Sequence, residues 1–378
     1  MSRRSAIVVG AGIVGAACAE ALAEAGLAVD VIDAARPGGG ATAAGMGHIL
    51  VLDDSEPQLE LTRLSRELWD ARDWPQSVER DPCGTLWVAA DEAELDVVGA
   101  KHAWFAERGI ESEVVDGRRV AELEPNLRPG LAGGLRFPGD SVVYPPAATR
   151  HLLDRAAASG ATIREGVRAT HVHGGRDGGA AVALEGGGRL DADFAVVAAG
   201  VATRDLVDAF GLDVSPKKGH LAITDRVPGF IRHQLIELGY LASAHGSDDT
   251  SVAFNAQPRA TGQVLLGSSR QLDTSDPNVE PDVLARMIER GLEYLPGLKD
   301  LPVVRTWVGF RPATPDNLPV IGPVFGSPGL VLATGHEGVG ITTSLGTARL
   351  VAAYVSGSAP PIDPRPFDLE RVQEGTHA

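Results

Sequence analysis

The sequence predicts an α/β protein of two interleaved domains, and three observations indicate this fold class. A strand, a helix and a second strand follow one another within the first 33 residues, joined by a glycine-rich turn. Two further apolar strands, at 194–200 and 329–334, lie far along the chain and lead into small residues. Two long segments, 76–146 and 206–304, alternate short strands with polar turns. At about 100 to 200 residues per domain, the 378 residues suffice for two domains.

The N-terminal unit begins with a short apolar run. Residues 6–9 (AIVV) are typical of a strand buried on both faces of a parallel sheet, and the turn GAGIVG at 10–15 follows at once. A helix is predicted over 16–25, because apolar residues recur there at helical spacing and Gly26 follows as a C-cap. Residues 28–33 are predicted to form a second strand.

The glycines of this unit have separate physical roles. Gly10 permits the tight turn, Gly12 lets the main chain approach a pyrophosphate, and Gly15 lets the helix pack closely on the strand. Asp33 ends the second strand, where a carboxylate can accept hydrogen bonds from a ribose diol. The pattern therefore predicts dinucleotide binding, although by itself it does not separate NAD from FAD.

The segment that follows favours FAD. Residues 36–48 (RPGGGATAAGMGH) form a long loop of small residues where an NAD domain would normally begin another helix and strand. Small side chains let the main chain run against an extended cofactor, and Thr42 can donate to a phosphate oxygen.

Two later segments fit the same cofactor. The strand at 194–200 (FAVVAAG) ends in small residues where the main chain can pass close to phosphates. Residues 335–340 turn the strand at 329–334 into a helix predicted over 341–354. The N-terminal amides and positive dipole end of that helix favour an anion or a carbonyl.

Composition excludes several classes of protein. A net charge of −16 disfavours nucleic acid and anionic membrane surfaces as partners. Two cysteines, Cys18 and Cys83, cannot build a disulfide framework or a four-thiolate metal site, and no metal site is predicted.

No stretch reaches about 18 uninterrupted apolar residues, and glycines interrupt the apolar run near the N-terminus, so neither a transmembrane helix nor a signal peptide is predicted. The expected location is cytoplasmic, with a peripheral position at the inner face of the membrane as the alternative.

In these motifs the chain resembles the D-amino-acid oxidase (DAO) superfamily of flavoproteins, which includes glycine oxidase, sarcosine oxidase and the amino-acid dehydrogenases. It is most similar to the branch of D-hydroxyproline dehydrogenase, hydrogen cyanide synthase and glycine oxidase. The resemblance covers nearly the whole chain and is strongly specific for the superfamily but weakly specific for a substrate. Besides GAGIVG and Asp33, it rests on TAAGMGH (42–48), GVRAT (166–170), FAVVAAG (194–200), GFRPATPDNLPVIG (309–322) and GLVLATGHEGVGIT (329–342).

The resemblance implies a Rossmann-like FAD-binding domain of the glutathione-reductase type, built from 1–75, 147–205 and 305–378. Segments 76–146 and 206–304 should then form a substrate-binding domain on one mixed sheet that covers the flavin.

It also implies FAD as the cofactor. We expect noncovalent binding, because neither cysteine lies in the C-terminal segment where the sarcosine oxidases attach flavin. Val167 is the implied main-chain contact with adenine, and 338–342 should stabilise the negative charge of reduced flavin. The implied FAD contacts are Gly10, Gly12, Ile13, Val14, Gly15, Asp33, Ala34, Gly40, Thr42, Ala43, Gly45, Met46, Gly47, Val167, Ala199, Gly200, Gly338, Gly340, Ile341 and Thr342.

Arg311 is the first candidate for substrate binding. It lies in the motif where the superfamily holds the substrate carboxylate, and a guanidinium can bind a carboxylate through two parallel hydrogen bonds. The alternative is a structural ion pair with Asp316 or with a C-terminal acid.

His48 and Tyr240 are the other candidates for the active site. His48 can face the isoalloxazine or the substrate amine, but a histidine bonded to the main chain of its own loop is an equally good interpretation. Tyr240, Phe254 and Asn255 lie on segments expected to line the roof of the site, although core packing explains the two aromatic residues just as well.

The implied activity is oxidation of a small amino or imino acid, D-configured or achiral, by hydride transfer from Cα to flavin N5 to give an imine. D-hydroxyproline is the leading single substrate. The alternatives are a flavin-bearing subunit of a heteromeric dehydrogenase, a glycine or sarcosine oxidase that uses O2, and an NAD-dependent dehydrogenase.

No lysine lies between Gly219 and Leu298, so the oxygen-activating lysine of sarcosine oxidases has no evident counterpart. This favours a quinone or an iron–sulfur partner subunit as acceptor, in a homo- or hetero-oligomer.

Overall fold

Two β-sheets, one largely parallel and one mixed, organise the molecule. A computed structural model describes residues 3–52, 55–175, 178–239, 250–272 and 274–374. The helices in these ranges are α1 (Ile13–Glu24), α2 (Gly40–Ala44), α3 (Glu56–Asp70), α4 (Glu92–Glu107), α5 (Gly117–Leu123), α6 (Pro145–Ala158), α7 (Thr203–Leu206), α8 (Pro281–Tyr294), α9 (Gly340–Ser356) and α10 (Glu370–Glu374). The strands are β1 (Ser5–Val9), β2 (Ala28–Asp33), β3 (His48–Ile49), β4 (Thr85–Ala89), β5 (Glu113–Asp116), β6 (Gly133–Phe137), β7 (Ser141–Val142), β8 (Thr162–Glu165), β9 (Ala169–Gly174), β10 (Ala180–Leu184), β11 (Arg189–Ala192), β12 (Phe194–Val197), β13 (Ser215–Thr224), β14 (Gln234–Glu237), β15 (Thr250–Pro258), β16 (Val264–Gln271), β17 (Val303–Ala313), β18 (Val320–Val324) and β19 (Ser327–Thr334).

The first sheet has the strand order β18-β19-β12-β1-β2-β8, parallel except for the edge strand β18. Apart from Ser5, its two central strands, β1 and β12, are apolar because both faces of the sheet are covered. Val8 and Val31 pack with helices α1, α6 and α9 on one face. Ile7 and Val9 pack on the other face against the small sheet of β9, β10 and β11. The two large sheets confirm the predicted α/β fold class.

The second sheet is mixed, with the order β17-β13-β16-β15-β14-β4-β6-β5. Strands β4, β5 and β6 come from the first intervening segment of the chain, and β13 to β16 come from the second. A parallel pairing of β14 with β4 joins the two groups. On one face Phe254 of β15 stacks on Tyr294 of α8 in a buried apolar cluster.

Strand β17 departs from the predicted domain boundary. It begins at Val303 and pairs with β13 along its length, so the boundary predicted at residue 305 falls inside a strand of the mixed sheet. β17 lies in the mixed sheet because it pairs with β13, a strand distant in sequence, and no local sequence pattern predicts that pairing.

Two helices also differ from the sequence-based expectations. Helix α1 begins at Ile13 rather than at residue 16, so the second half of the glycine motif is already helical. Helix α2 occupies Gly40–Ala44 within the segment predicted as a loop. The alanines there favour a helical turn, and glycines lie at both of its ends.

Gly15 gives a direct test of how closely α1 packs on β1. A Cβ at this position would lie 1.9 Å from the carbonyl oxygen of Gly10. Gly15→Ala should therefore lower the free energy of unfolding by about 1–3 kcal/mol, measured by urea denaturation.

Gly99 of α4 is the matched control, because a Cβ there would meet no atom within 4 Å. Gly99→Ala should raise the free energy of unfolding by about 0.5–1 kcal/mol, since alanine is the better helix former. Equal stability of the two variants would contradict the close contact of the helix with the glycine turn.

Candidate cofactor and substrate site

A cavity of about 440 Å³ lies between the two large sheets. Gly10, Gly200 and Gly340 line it from the carboxyl-end edge of the parallel sheet, and Asn255 and Arg311 line it from the mixed sheet. Ligand sites of open α/β sheets occur at this edge, outside the carboxyl ends of the strands.

The glycine turn after β1 brings main chain against main chain. Gly10 has a φ of +100°, and a Cβ there would lie 2.5 Å from the carbonyl oxygen of Ala198. A Cβ on Gly12 would lie 3.1 Å from the Thr42 hydroxyl oxygen, which itself accepts a hydrogen bond from the Ile13 amide at 3.0 Å. Helix α1 starts at Ile13, so its N-terminal amides lie at the cavity wall. This cradle, which side chains would fill, fits a bound pyrophosphate.

Asp33 lies beside the same turn. Its carboxylate accepts hydrogen bonds from the main-chain amides of Ala11 at 2.7 Å and Ala35 at 2.8 Å, and it lines the cavity. Each carboxylate oxygen keeps acceptor capacity for a ribose hydroxyl. The amides hold the acid in place, which fits the role predicted for it.

The second glycine turn leads from β19 into α9. Gly338, Gly340 and Ile341 line the cavity there. Below them His336 is buried, and its Nε2 lies 3.0 Å from the Thr347 hydroxyl. Burial lowers the pKa of His336 to about 3, so the ring is neutral at pH 7. Gly340 and Ile341, the first residues of α9, line the cavity at the positive end of the helix dipole.

Most predicted FAD contacts line this cavity. Five do not. Gly15 lies beneath the turn, and Ala34 and Ala43 are each next in the chain to residues that line the cavity. Val167 donates its amide to the Asp33 carbonyl at 2.8 Å, and Thr342 donates its hydroxyl to the His48 carbonyl at 2.8 Å. Their direct contact with FAD stays a prediction. Those that line the cavity are Gly10, Gly12, Ile13, Val14, Asp33, Gly40, Thr42, Gly45, Met46, Gly47, Ala199, Gly200, Gly338, Gly340 and Ile341.

Arg311 reaches the cavity from β17. Its guanidinium donates to the Ser269 carbonyl at 3.3 Å, and its paired carboxylate is Glu337, at 4.0 Å. The alternative of an ion pair with Asp316 is wrong, because Asp316 pairs with Arg371 at 2.8 Å. The alternative of an ion pair with a C-terminal acid has a counterpart in Glu337, which at 4.0 Å is the carboxylate partner of Arg311 among the described residues.

Sequence reasoning missed two charged residues beside Arg311. Arg270 of β16 lines the cavity, and its guanidinium lies 3.7 Å from the Glu337 carboxylate. Although burial opposes it, the positive charges of Arg311, Arg270 and Lys217 lower the pKa of Glu337. These residues lie in segments of the chain that nothing in the local pattern connects.

His48 begins β3, which pairs with β7, and its ring lines the cavity. Its Nδ1 is hydrogen bonded to Oε1 of Gln234, and its Nε2 lies 3.4 Å from Nδ2 of Asn255. Burial lowers the pKa of His48 to about 4, and the charge of Arg311 acts in the same direction. The ring is thus neutral at pH 7 and bonded to side chains, not to the main chain of its own loop. The candidate Tyr240 lies outside the described residues.

Other kinds of site find no support in the part of the chain that the structure describes. No group of three His, Cys, Asp or Glu side chains there is arranged to hold a metal ion. Within the same ranges, no helix combines the length and the apolar character needed to cross a bilayer. Cys18 is buried inside α1, and neither it nor Cys83 lines the cavity.

Comparisons with known proteins agree with this geometry. A family model described as FAD dependent oxidoreductase (DAO) matches residues 5–354. A glycine oxidase of Pseudomonas aeruginosa is 29% identical, over 97% of this chain and 98% of that protein. The hydrogen cyanide synthase subunit HcnC of the same organism is 27% identical, over 97% of this chain and 96% of that protein. The crystal structure of glycine oxidase from Geobacillus kaustophilus superposes with a TM-score of 0.86 at 25% identity, covering 98% of this chain and 99% of that one.

The buried histidines predict a pH dependence of stability. Since burial lowers the pKa of His336 from 6.5 to about 3, the unfolded chain binds a proton that the folded chain does not, and stability is lost as pH falls below about 6.5. His336→Gln should reduce the slope of unfolding free energy against pH by about 1.4 kcal/mol per pH unit near pH 5.

The exposed His171 supplies the control for this measurement. His171→Gln should keep the wild-type slope in urea unfolding at each pH. An unchanged slope in His336→Gln would show that the ring is not held neutral in the folded protein.

Proposed function

This chain belongs to the DAO family of FAD-dependent oxidoreductases, and from that premise we propose that it oxidises a small amino or imino acid to an imine. The observation that supports this most directly is Arg311, whose guanidinium lies at the cavity with its paired carboxylate, Glu337, no nearer than 4.0 Å. A guanidinium held in this way favours a ligand that brings its own carboxylate. The carboxylate of an amino acid meets that need.

When bound, FAD would supply two-electron oxidation by accepting the hydride of the substrate Cα–H bond; the amine lone pair would then form the C=N bond of an iminium, which becomes the imine on release of an N–H proton to solvent. The protein contributes orientation. Arg311 fixes the carboxylate end of the substrate, and the enclosing sheets keep bulk water away from Cα. His48, neutral at pH 7, carries one ring proton and adds no positive charge beside the substrate amine.

The walls of the cavity suggest the size and polarity of the side chain. Leu50, Trp87, Leu221 and Ile236 line it with apolar surface, and Asn255 adds a polar group. This lining suits a short aliphatic chain or a small saturated ring. We therefore keep D-hydroxyproline as the leading single candidate, with glycine and sarcosine as the alternatives.

A second candidate function differs in the electron acceptor. HcnC is by its name a subunit of hydrogen cyanide synthase, and this chain has no lysine between Gly219 and Leu298 to match the oxygen-activating lysine of sarcosine oxidases. On that reading the chain is the flavin-bearing subunit of a heteromer. It would pass electrons to a quinone or to an iron–sulfur partner rather than to O2.

Anaerobic mixing of the yellow protein with D- and L-amino acids, D-hydroxyproline, sarcosine and glycine tests the proposal. We expect one or more of these compounds to bleach the flavin absorbance. Bleaching by hydroxy acids alone would overturn the substrate class. Rapid return of the colour in air would favour an oxidase, whereas slow return would favour a partner acceptor.

Replacement of Arg311 tests how the carboxylate is bound. Arg311→Met should raise KM about 10- to 100-fold, because a charge-assisted hydrogen bond to the substrate is lost, while the flavin spectrum is retained. Arg305→Met, an exposed change on the same strand, is the control and should keep the wild-type KM. An unchanged KM in Arg311→Met would remove Arg311 from the substrate site.

A further inference from the structure

Asn255 brings a buried acceptor without a partner to the cavity. Its side chain is 6% exposed and lines the cavity from β15. Its Oδ1 has no hydrogen-bond partner among the described residues. A buried carbonyl oxygen without a partner is costly, so a ligand that donates a hydrogen to it would stabilise the site.

The ring of His48 determines which end of the Asn255 amide faces the cavity. Nδ1 of His48 is bonded to Oε1 of Gln234, an oxygen that only accepts, so the ring proton lies on Nδ1. Because the ring is neutral, Nε2 carries no proton and must accept. Asn255 therefore presents its NH2 group to Nε2 at 3.4 Å, and its Oδ1 points away from the histidine.

The orientation of Gln234 is determined in turn from the other side. Its Nε2 donates to the Thr85 hydroxyl oxygen at 3.0 Å, which leaves Oε1 for His48. Thr85 is therefore the acceptor in this contact, through its hydroxyl oxygen.

A single directed chain of hydrogen bonds thus runs from the cavity into the protein: Asn255 to His48 to Gln234 to Thr85. Thr85 and Gln234 are each buried to at least 99%. Each residue of the chain donates to the next one inward.

We propose that Asn255 Oδ1 accepts a hydrogen bond from the amine N–H of the substrate, and that the chain from His48 to Thr85 fixes the amide in the orientation that allows it. This inference rests on the proposed function and adds a second point of recognition to Arg311. An N–H directed at Asn255 leaves the amine lone pair free to form the C=N bond. The site should therefore take primary and secondary amines and reject tertiary ones, whose neutral nitrogen has no hydrogen to donate.

The test compares flavin reduction by sarcosine, glycine and N,N-dimethylglycine, together with the N,N-dimethyl form of the substrate that bleaches the wild-type protein fastest. Wild-type protein should reduce with the N–H substrates at least about tenfold faster than with their dimethyl counterparts. Asn255→Leu should lose most of this ratio, through slower reduction by the N–H substrates.

Gln257→Leu is the matched control, since Gln257 is a buried amide two residues along β15 that does not line the cavity. It should keep the wild-type ratio. Binding of acetate, followed by its effect on the flavin spectrum, gives a readout without an amine. Acetate affinity should be the same in wild type and Asn255→Leu, because Arg311 is intact in both.

Thr85 tests the positioning role, because its side chain does not line the cavity. Thr85→Val removes the acceptor for Gln234 and should lower the ratio, whereas Thr85→Ser keeps the hydroxyl and should restore it. If Asn255→Leu fails to hold FAD, the comparison of these two variants decides the proposal.

Two failures can be told apart. An unchanged ratio in Asn255→Leu or in Thr85→Val, with normal acetate binding, would overturn this inference and leave the proposed function in place. A wild-type protein that no amine reduces would overturn the proposed function instead.

Discussion

The close approach of the Gly10 turn to the main chain at Ala198 is the contact on which the site depends. A side chain at position 10 would occupy the space of the Ala198 carbonyl, which lies 2.5 Å from where its Cβ would be. Because β1 and β12 are adjacent parallel strands, their loops leave the sheet at the same edge. The start of α1 and the position of Thr42 follow from this contact, and so does the open cradle where the pyrophosphate of FAD fits.

The two sheets divide the work of the site. The parallel sheet brings glycine turns and helix N-termini, which suit phosphates and the flavin edge. The mixed sheet brings Arg311 from β17 and Asn255 from β15, the two cavity residues proposed to bind the substrate. One fold can carry different activities, because the residues of a site can change while the scaffold stays the same.

Charge inside the cavity differs from that of the whole protein. The chain carries a net charge of −16, yet Arg270 and Arg311 line the cavity and share one carboxylate, Glu337. This part of the cavity wall is therefore positively charged and favours a carboxylate. In the proposed binding mode the amine meets neutral groups, because burial lowers the pKa of His48 and Asn255 is an amide. A cationic and a neutral polar group at one site suit the carboxylate and the uncharged amine of an amino acid ready for oxidation.

The sequence alone determined the dinucleotide unit, the FAD expectation and Arg311, because each depends on residues close together in the chain. Residues 5–33 form the predicted succession of strand, turn, helix and strand. Arg311 lies inside the motif GFRPATPDNLPVIG at 309–322. Only the tertiary structure decided the rest. The chain from Asn255 to Thr85 joins residues from β15, β3, β14 and β4, and the donor of each bond is identified from the chemistry of the residue that it meets. The placement of β17 in the mixed sheet was hidden for the same reason, since strand pairing and hydrogen-bond direction arise between segments that are far apart in sequence.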